Sequence, residues 1–302
     1  YKGLHSQSSQ RVLEELAEAF NSWYGKRKSD SRANPPSYRK KNYYDQDGRR
    51  VHEEHPRSTV TWKQNGIKHD IKNNRVRLSK GANHKQHPKA WEYILIEYET
   101  APGVIVENLQ QVRAVYDKAK QRWELHLVCK HEIETPDAPG TETAGIDLGI
   151  CNFAAIAYST EEADLYPGNR LKQDGYYFPK EIAKCDDSGG DRATRLHAKW
   201  SERRTHFFHS LATHIVQRCI ENGAGRINIG NLAGVRENNS NGESKNWGKH
   251  GNLDLHGWAF DRFSNILDYK AKIKGIEVRE VSERDTSNTC CVCGRKDESQ
   301  RV

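Results

Sequence analysis

The chain has 302 residues, 35% of them hydrophobic and 29% charged, a composition that supports folded domains and disfavours a wholly disordered chain. Its mean hydropathy is −0.95, and its apolar runs are far shorter than the roughly 20 residues of a membrane span. The amino terminus lacks the pattern of a secretory signal, so we predict a soluble cytoplasmic protein without a membrane partner. Methionine is absent, even at position 1, and the chain stops soon after a cysteine pair, which predicts an internal fragment of a longer reading frame.

The net charge of +7 is unevenly distributed along the chain. Between Gly25 and Ala90 there are 18 Lys and Arg residues and 6 Asp and Glu residues, whereas the rest of the chain is acidic. Aromatic residues lie among these cations, and the combination is typical of a surface that neutralises phosphates and stacks on unpaired bases. A solvated, partly disordered basic segment is the alternative. The candidate nucleic-acid contacts are Arg39, Lys40, Lys41, Tyr43, Trp62 and Lys63.

The first half of the chain reads as a helix, a loop and a series of short strands. Apolar residues at three-to-four spacing, Leu13 and Leu16 among them, predict an amphipathic helix over 10–24. Prolines and basic residues predict a loop or linker over 31–56. The short strands that follow indicate a small β-barrel-like domain, which ends at a proline-containing boundary within 134–141. The predicted strands are 59–62, 66–71, 75–78, 91–98, 112–116 and 123–129.

After residue 143, strands and helices alternate, which indicates an α/β domain. A strand at 144–149 is followed by its predicted hairpin partner at 152–159. A long helix over 193–220 carries an apolar stripe that includes Leu211 and Ile215. The remaining predicted elements are a strand at 226–229, a helix at 255–273 and a strand at 276–281.

The first motif with catalytic potential is Gly145-Ile146-Asp147-Leu148-Gly149. A carboxylate between glycines lets a metal ion and a phosphate approach the backbone, so Asp147 is a candidate metal ligand. Such a strand is typical of metal-dependent nucleases of the RNase H/RuvC kind and of actin-like ATPases. The alternative is that Asp147 has only a structural role, as a turn aspartate at a strand bend. An actin-like ATPase also needs a second phosphate-binding Asp-x-Gly loop after a strand. Asp174-Gly175 and 187–190 lie in predicted polar loops without such a strand.

The second motif is a cysteine pair near the end of the chain. Cys290 and Cys293 have the C-x-x-C spacing of half a zinc knuckle, and a tetrahedral site needs a second ligand pair, which does not follow before Val302. A redox C-x-x-C is the alternative. On the long helix, arginines lie among four histidines, which favours a nucleic-acid-facing helix over a metal site. The arginines are Arg192, Arg195, Arg203 and Arg204, and the histidines are His197, His206, His209 and His214.

Taken in order, these motifs resemble the TnpB (OrfB) family of transposon-encoded RNA-guided nucleases, which are related to the type V CRISPR effectors. The similarity extends over nearly the whole chain, and it rests on an ordered combination of motifs rather than on any single one. The matching stretches are 144–155, the arginine-rich helix ending at 206–211, 251–260, 269–271 and 286–294.

The resemblance implies a mixed fold of β and α/β parts. A nucleic-acid-binding β-barrel region with an amino-terminal helix would occupy 1–140, an RNase H/RuvC-like nuclease domain 141–285, and the first half of a zinc ribbon 286–302. The resemblance also implies a guide RNA from the transposon end, target double-stranded DNA, Mg²⁺ for cleavage and Zn²⁺ in the ribbon. The cellular location implied is the nucleoid-associated cytoplasm of a prokaryote.

Three carboxylates hold the metal ions in that family, one on the first strand, one at the end of the fourth and one after the zinc ribbon. Asp147 matches the first, whereas Gly230 and Asn231 stand where the second is expected, and neither is an anionic ligand. The third falls beyond residue 302. The resemblance therefore implies RNA-guided DNA binding and divalent-metal-dependent DNA cleavage, with cleavage by this copy impaired. The alternatives are a catalytically inactive RNA-guided DNA binder and, remotely, an actin-like ATPase. Acids near the motifs that are candidates to replace the missing ligand are Glu237, Glu283 and Asp285.

Overall fold

The structure is a computed structural model that describes most of the chain. The described residues are 3–37, 42–44, 50–52, 58–82, 93–149, 152–186, 190–231 and 259–282, with 289, 293, 295 and 296; only the backbone is described at 42–44, 50–52 and 231. The chain divides into two compact units, Tyr1–Glu132 and Ile133–Val302, close to the predicted boundary within 134–141. Among the described helices, none combines the length and the hydrophobicity of a membrane-spanning segment.

The described strands of the first unit form two three-stranded antiparallel sheets, β3-β7-β8 and β4-β5-β6, and a separate pair, β1-β2. All six predicted strands are confirmed, but the described strands do not close into a barrel. The pair β1-β2 lies within the predicted loop over 31–56. It was not predicted because the side chains of this stretch have no strand pattern, and the pairing depends on backbone hydrogen bonds. The elements are α1 (Ser6–Arg27), β1 (Asn42–Tyr44), β2 (Arg50–His52), β3 (Val60–Lys63), β4 (Ile67–Asp70), β5 (Arg75–Ser79), β6 (Tyr93–Glu97), β7 (Leu109–Asp117) and β8 (Arg122–Cys129).

The helix α1 is confirmed, but its packing differs from the prediction. Leu13 and Leu16, which were expected to face inward, are exposed. Lys63 of β3 donates a hydrogen bond to Glu14 of the helix, and Ser8 is buried. This charged contact, rather than the exposed Leu13 and Leu16, joins α1 to β3.

The second unit is built on a five-stranded mixed sheet in the order β11-β10-β9-β12-β13. The strands β9, β10 and β11 form an antiparallel meander, β12 joins parallel to β9, and β13 joins parallel to β12. The elements are β9 (Glu142–Leu148), β10 (Asn152–Tyr158), β11 (Ala163–Pro167), α2 (Asn169–Ala183), α3 (Asp191–Glu221), β12 (Ala224–Asn231), α4 (Phe260–Lys272) and β13 (Glu277–Ser282). The predicted α/β arrangement is confirmed, whereas β11 and α2 were not predicted.

Side chains alternate across the central strand β9, and this alternation divides the sheet into a packed face and a face that the described residues leave open. Ala144, Ile146 and Leu148 are buried in the main core with apolar residues of α3 and α4. At the centre of that core Phe153 is fully buried and stacks on other phenylalanines. Asp147, between two inward residues, therefore points to the opposite, open face.

The helices α2 and α3 contact each other through stacked aromatic rings and through ion pairs. The rings of Phe178 and Trp200 stack with centroids 6.0 Å apart, and Arg203 donates two hydrogen bonds to the buried carboxylate of Asp174. These contacts hold a helix whose sequence contains a glycine and Pro179.

The turn after α4 requires a glycine. Gly275 has a φ of +75°, a region that L-residues rarely adopt, and a Cβ at this position would lie 2.4 Å from the carbonyl oxygen of Pro136. The turn and the segment that leads into β9 therefore approach each other closely.

Candidate functional site

The candidate site lies where β9 and β12 run side by side. Ile146 of β9 is paired with Ile229 of β12 in parallel register, so the next residue of each strand, Asp147 and Gly230, are neighbours across the sheet. On its other side Asp147 pairs with Ala155 of β10. The structure thus brings together Asp147 and Gly230, which the sequence separates by more than 80 residues.

The open face around Asp147 forms a shallow concavity of about 880 Å³. Its floor consists of small residues, and its polar groups are few. Glycine and alanine side chains leave the strand backbone accessible, which would allow a bulky polyanion to approach closely. The small residues are Gly145, Ala155, Ala157, Ala163 and Gly230, and the polar ones are Asp147, Asp164, Asn228 and Ser282.

The described residues do not fit a two-metal centre. Asp147 makes no hydrogen bond or ion pair with any residue of the described part of the chain, so its carboxylate is available, but it is a single ligand. Asn228 and Ser282 are neutral, and Gly230 offers no side chain. In the described ranges, no group of three or more His, Cys, Asp or Glu side chains is arranged to hold a metal ion. Glu237, Glu283 and Asp285, the candidate replacements, lie outside these ranges.

Asp164 is the other carboxylate of the concavity, and it is already engaged. It accepts hydrogen bonds from Arg218 at 3.0 Å and from the hydroxyl of Tyr158 at 3.0 Å. Burial is the largest single influence on the pKa of Asp164 and raises it, but the hydrogen bonds from Arg218 and Tyr158 and the charge of Arg218 together outweigh burial, and the net shift is downward. Arg218 also pairs with Glu162 and Glu221, so this cluster fastens the edge strand β11 to α3 rather than supplying a metal ligand.

The predicted zinc ligands are described only in part. Cys293 is exposed and carries a free thiol, and a β-bridge joins Thr289 to Lys296 around it. Cys290 lies outside the described residues. Among the described residues, the histidines of the long helix are not part of a metal-binding group. His209 contacts the hydroxyl of Tyr269, and His214 packs edge-to-face on the ring of Tyr166.

The residues predicted to contact nucleic acid have different environments. Trp62 is 8% exposed in the core of the first unit, where its indole NH donates to the carbonyl of Ser79, so its ring offers no face to a base. Lys63 and Arg203 are engaged by carboxylates of neighbouring elements. Burial, with repulsion from a nearby arginine, lowers the pKa of Arg204, which lies over the Trp200 ring.

Two of the predicted contacts are exposed on the amino-terminal half of α3. Arg192 has a side chain that is 66% exposed, with Glu181 3.9 Å away, and Arg195 is also exposed. The side chains of Arg39, Lys40, Lys41 and Tyr43 lie outside the described residues.

One part of the actin-like ATPase alternative, the prediction that Asp174-Gly175 lies in a polar loop, is wrong. Asp174 and Gly175, expected in a polar loop, lie in the middle of α2, and the carboxylate of Asp174 is bound by Arg203. Sequence reasoning also missed the exposed Tyr176 and Tyr177, because no helix was predicted there.

Two family models match separate parts of the chain. Residues 126–236 match OrfB_IS605, described as a probable transposase, and residues 260–302 match the Cas12f1-like TNB domain. The first match includes Asp147 and Gly230, and the second includes α4, β13 and the cysteine pair.

Several relatives share about a quarter of their residues with this chain. A TnpB-like protein, ORF457 of Acidianus two-tailed virus, is 26% identical over 60% of this chain and 44% of its own length. The CRISPR-associated endodeoxyribonuclease Cas12f1 of Sulfoacidibacillus thermotolerans is 23% identical over 62% and 46%, respectively. The TnpB-like protein MJ0751 of Methanocaldococcus jannaschii is 25% identical over 45% and 49%. The alignments thus span less than half the length of each of these relatives.

A solved structure also aligns with most of the chain. A cryo-EM structure of a Cas12f1–sgRNA–target DNA complex aligns with 94% of this chain and 64% of its own chain, with a TM-score of 0.48 and 16% identity. The family models and the TnpB-like relatives together confirm that this chain resembles the TnpB (OrfB) family of probable transposases.

Proposed function

We propose that this chain belongs to an RNA-guided DNA-binding protein of the TnpB type, in which the second unit is the RuvC-like domain. The observation that carries the proposal is the parallel pairing of β9 with β12, which sets residue 230 beside Asp147. The family requires two carboxylates at these two strand positions. The open, small-residue face around them leaves room for a nucleic-acid backbone.

Cleavage is the step for which the described residues are insufficient. Two metal ions near one phosphate need several anionic ligands to offset their charge. Asp147 supplies one carboxylate, while Gly230 supplies none. We therefore propose that the protein binds matched DNA through its RNA and cuts that DNA only slowly.

The test uses the complete reading frame that contains this chain, purified with RNA transcribed from the adjoining DNA. We expect salt-sensitive binding to matched duplex DNA that disappears when the RNA is removed, and little cleavage in Mg²⁺. Gly230→Glu should raise cleavage, and adding Asp147→Ala to that variant should abolish the gain without changing binding. Binding of DNA that does not depend on RNA would contradict the proposed binding, and rapid cleavage by the parent protein would contradict the proposed weakness of cleavage.

The cysteine pair is proposed as the first half of a zinc ribbon. Cys290 and Cys293 would supply two thiolates, and Zn²⁺ bound there would hold the end of the domain together. Metal analysis of the complete protein should find about one Zn²⁺ per chain, and Cys293→Ser should lower that content. An unchanged zinc content in the variant would remove Cys293 from the ligand set.

A further inference from the structure

Helix α2 has a buried face and an exposed face. Leu171, Asp174 and Phe178 are buried, and the latter two contact α3 through Arg203 and Trp200. At 100° per residue, the exposed positions fall within about 140° of the helix circumference. The exposed residues, here named the α2 face, are Asn169, Arg170, Gln173, Tyr176, Tyr177, Lys180 and Ala183, together with Lys184, which directly follows the helix.

Two adjacent tyrosines occupy the middle of the α2 face. Tyr176 is 60% exposed and Tyr177 is 54% exposed, unusual values for large aromatic side chains. Both rings are positioned by neighbours, because the ammonium of Lys180 lies 5.5 Å from the Tyr176 ring centroid and Tyr177 packs edge-to-face on Phe178 at 5.2 Å. Partly ordered, exposed rings are suited to stacking on flat partners such as unpaired bases.

The charges of the α2 face have one sign. Arg170, Lys180 and Lys184 are distributed along a helix about 22 Å long, and the face contains no acidic residue. Two carboxylates lie beside the face: Glu181, whose side chain is 20% exposed and pairs with Lys184, and Glu202, which lines the same pocket as Arg170. Cations spaced along one face, with rings between them, complement a flexible polyanion with stackable bases.

We propose that the α2 face is a docking surface for unpaired RNA. The amides of Asn169 and Gln173 and the tyrosine hydroxyls can each donate and accept hydrogen bonds, as a ribose 2′-hydroxyl requires. Stacking and phosphate contacts do not discriminate among the bases, so binding should depend little on sequence. This inference rests on the proposed function, since it assigns a surface of the same protein to its RNA.

The test measures the binding of the complete protein to fluorescent oligonucleotides by anisotropy. The probes are a 12-nucleotide oligouridine, an oligothymidine DNA of equal length and a blunt RNA duplex. Tyr176→Ala combined with Tyr177→Ala should weaken oligouridine binding by at least about tenfold, since stacking contributes about 1–3 kcal/mol per base. The matched Phe pair should stay within about threefold of the parent protein. Tyr24→Ala, which removes an exposed tyrosine from α1, is the surface control.

The charges give a second, independent readout. Arg170→Gln combined with Lys180→Gln should reduce the slope of log affinity against log salt concentration by about 1.4, because each phosphate contact with a single strand contributes about 0.7 to that slope. Ultraviolet crosslinking of the parent protein to oligouridine, followed by peptide mapping, should label the α2 peptide. This readout needs no variant, so it holds even where the alanine pair disturbs folding.

The outcomes separate this inference from the proposed function. Unchanged oligouridine binding by the alanine pair, or crosslinks that avoid α2, would overturn the docking surface while RNA-dependent DNA binding could still stand. Tighter binding of the DNA oligomer with the same tyrosine dependence would overturn the assignment to RNA. A parent protein that binds none of the probes and shows no RNA-dependent DNA binding would overturn both.

Discussion

Replacing Gly275 with alanine tests whether the turn after α4 must have its observed geometry. Its φ of +75° costs a non-glycine residue about 1–2 kcal/mol. The new Cβ would also lie 2.4 Å from the carbonyl oxygen of Pro136 and 2.7 Å from that of Asp137, so backbone must move, at a further cost of about 1–3 kcal/mol. We expect Gly275→Ala to lower the free energy of unfolding of the second unit by about 3 kcal/mol.

The same substitution in α2 is a matched control with the opposite expected sign. A Cβ at Gly175 would meet no atom within 4 Å, and alanine is favoured over glycine inside a helix by about 0.5–1 kcal/mol. In thermal denaturation followed by far-UV circular dichroism, Gly275→Ala should lower the melting temperature by about 6–12 °C and Gly175→Ala should raise it by about 1–4 °C.

A third variant separates the two costs at the turn. Gly275→Asn tolerates positive φ better than alanine but still introduces a Cβ. A loss as large as that of alanine would assign most of the cost to the contact with Pro136. A loss below about 0.5 kcal/mol for Gly275→Ala would refute the reasoning, because it would show that the turn adapts freely.

Three further predictions concern the second unit. Arg203→Ala should cost about 2 kcal/mol in urea denaturation, between the values for exposed and buried ion pairs, because it leaves the buried carboxylate of Asp174 unpaired; an unchanged midpoint would contradict this. Burial raises the pKa of Cys219 to about 12, so in chelating buffer at neutral pH it should react with iodoacetamide only on unfolding, whereas exposed Cys293 should react at once. Burial also raises the pKa of Tyr158, so its contribution to stability is complete below the unfolded value near 10 and is lost as pH rises above it. Tyr158→Phe should therefore flatten the alkaline limb of a plot of melting temperature against pH.

The comparison of α3 with α2 shows what local sequence pattern can and cannot predict. The helix predicted over 193–220 is confirmed as Asp191–Glu221. It was predictable because an unbroken apolar stripe identifies the buried side of α3. The helix α2 has Gly175 and Pro179 within it and a charged residue on its buried side, so its periodicity is obscured. Its stability comes from contacts with α3, which a local pattern does not contain.

Residue type likewise could not decide the environment of individual side chains. The rings of Trp62 and Tyr177 are both chemically able to stack on bases, yet Trp62 is buried in a core and Tyr177 is exposed. The difference arises because strand pairing and helix packing, rather than residue type, determine which side chains are buried. Asp147 was identified from its flanking glycines. Its proximity to Gly230 depends on the pairing of two strands that are far apart in sequence. Local sequence pattern does not contain that pairing, and only the family resemblance related the two positions.

The pairing of β9 with β12 has a consequence for how the protein is made. The strand β12 begins about 75 residues after β9 ends, so a ribosome adding about 5–20 residues per second leaves one edge of β9 without its partner for roughly 4–15 s. The meander of β9, β10 and β11 can form early from local contacts, whereas closing the long loop to β12 is entropically slower. An unpaired strand edge invites contact with other chains. Correct assembly of the second unit therefore depends on β12 reaching the free edge of β9 before the strand of another chain does.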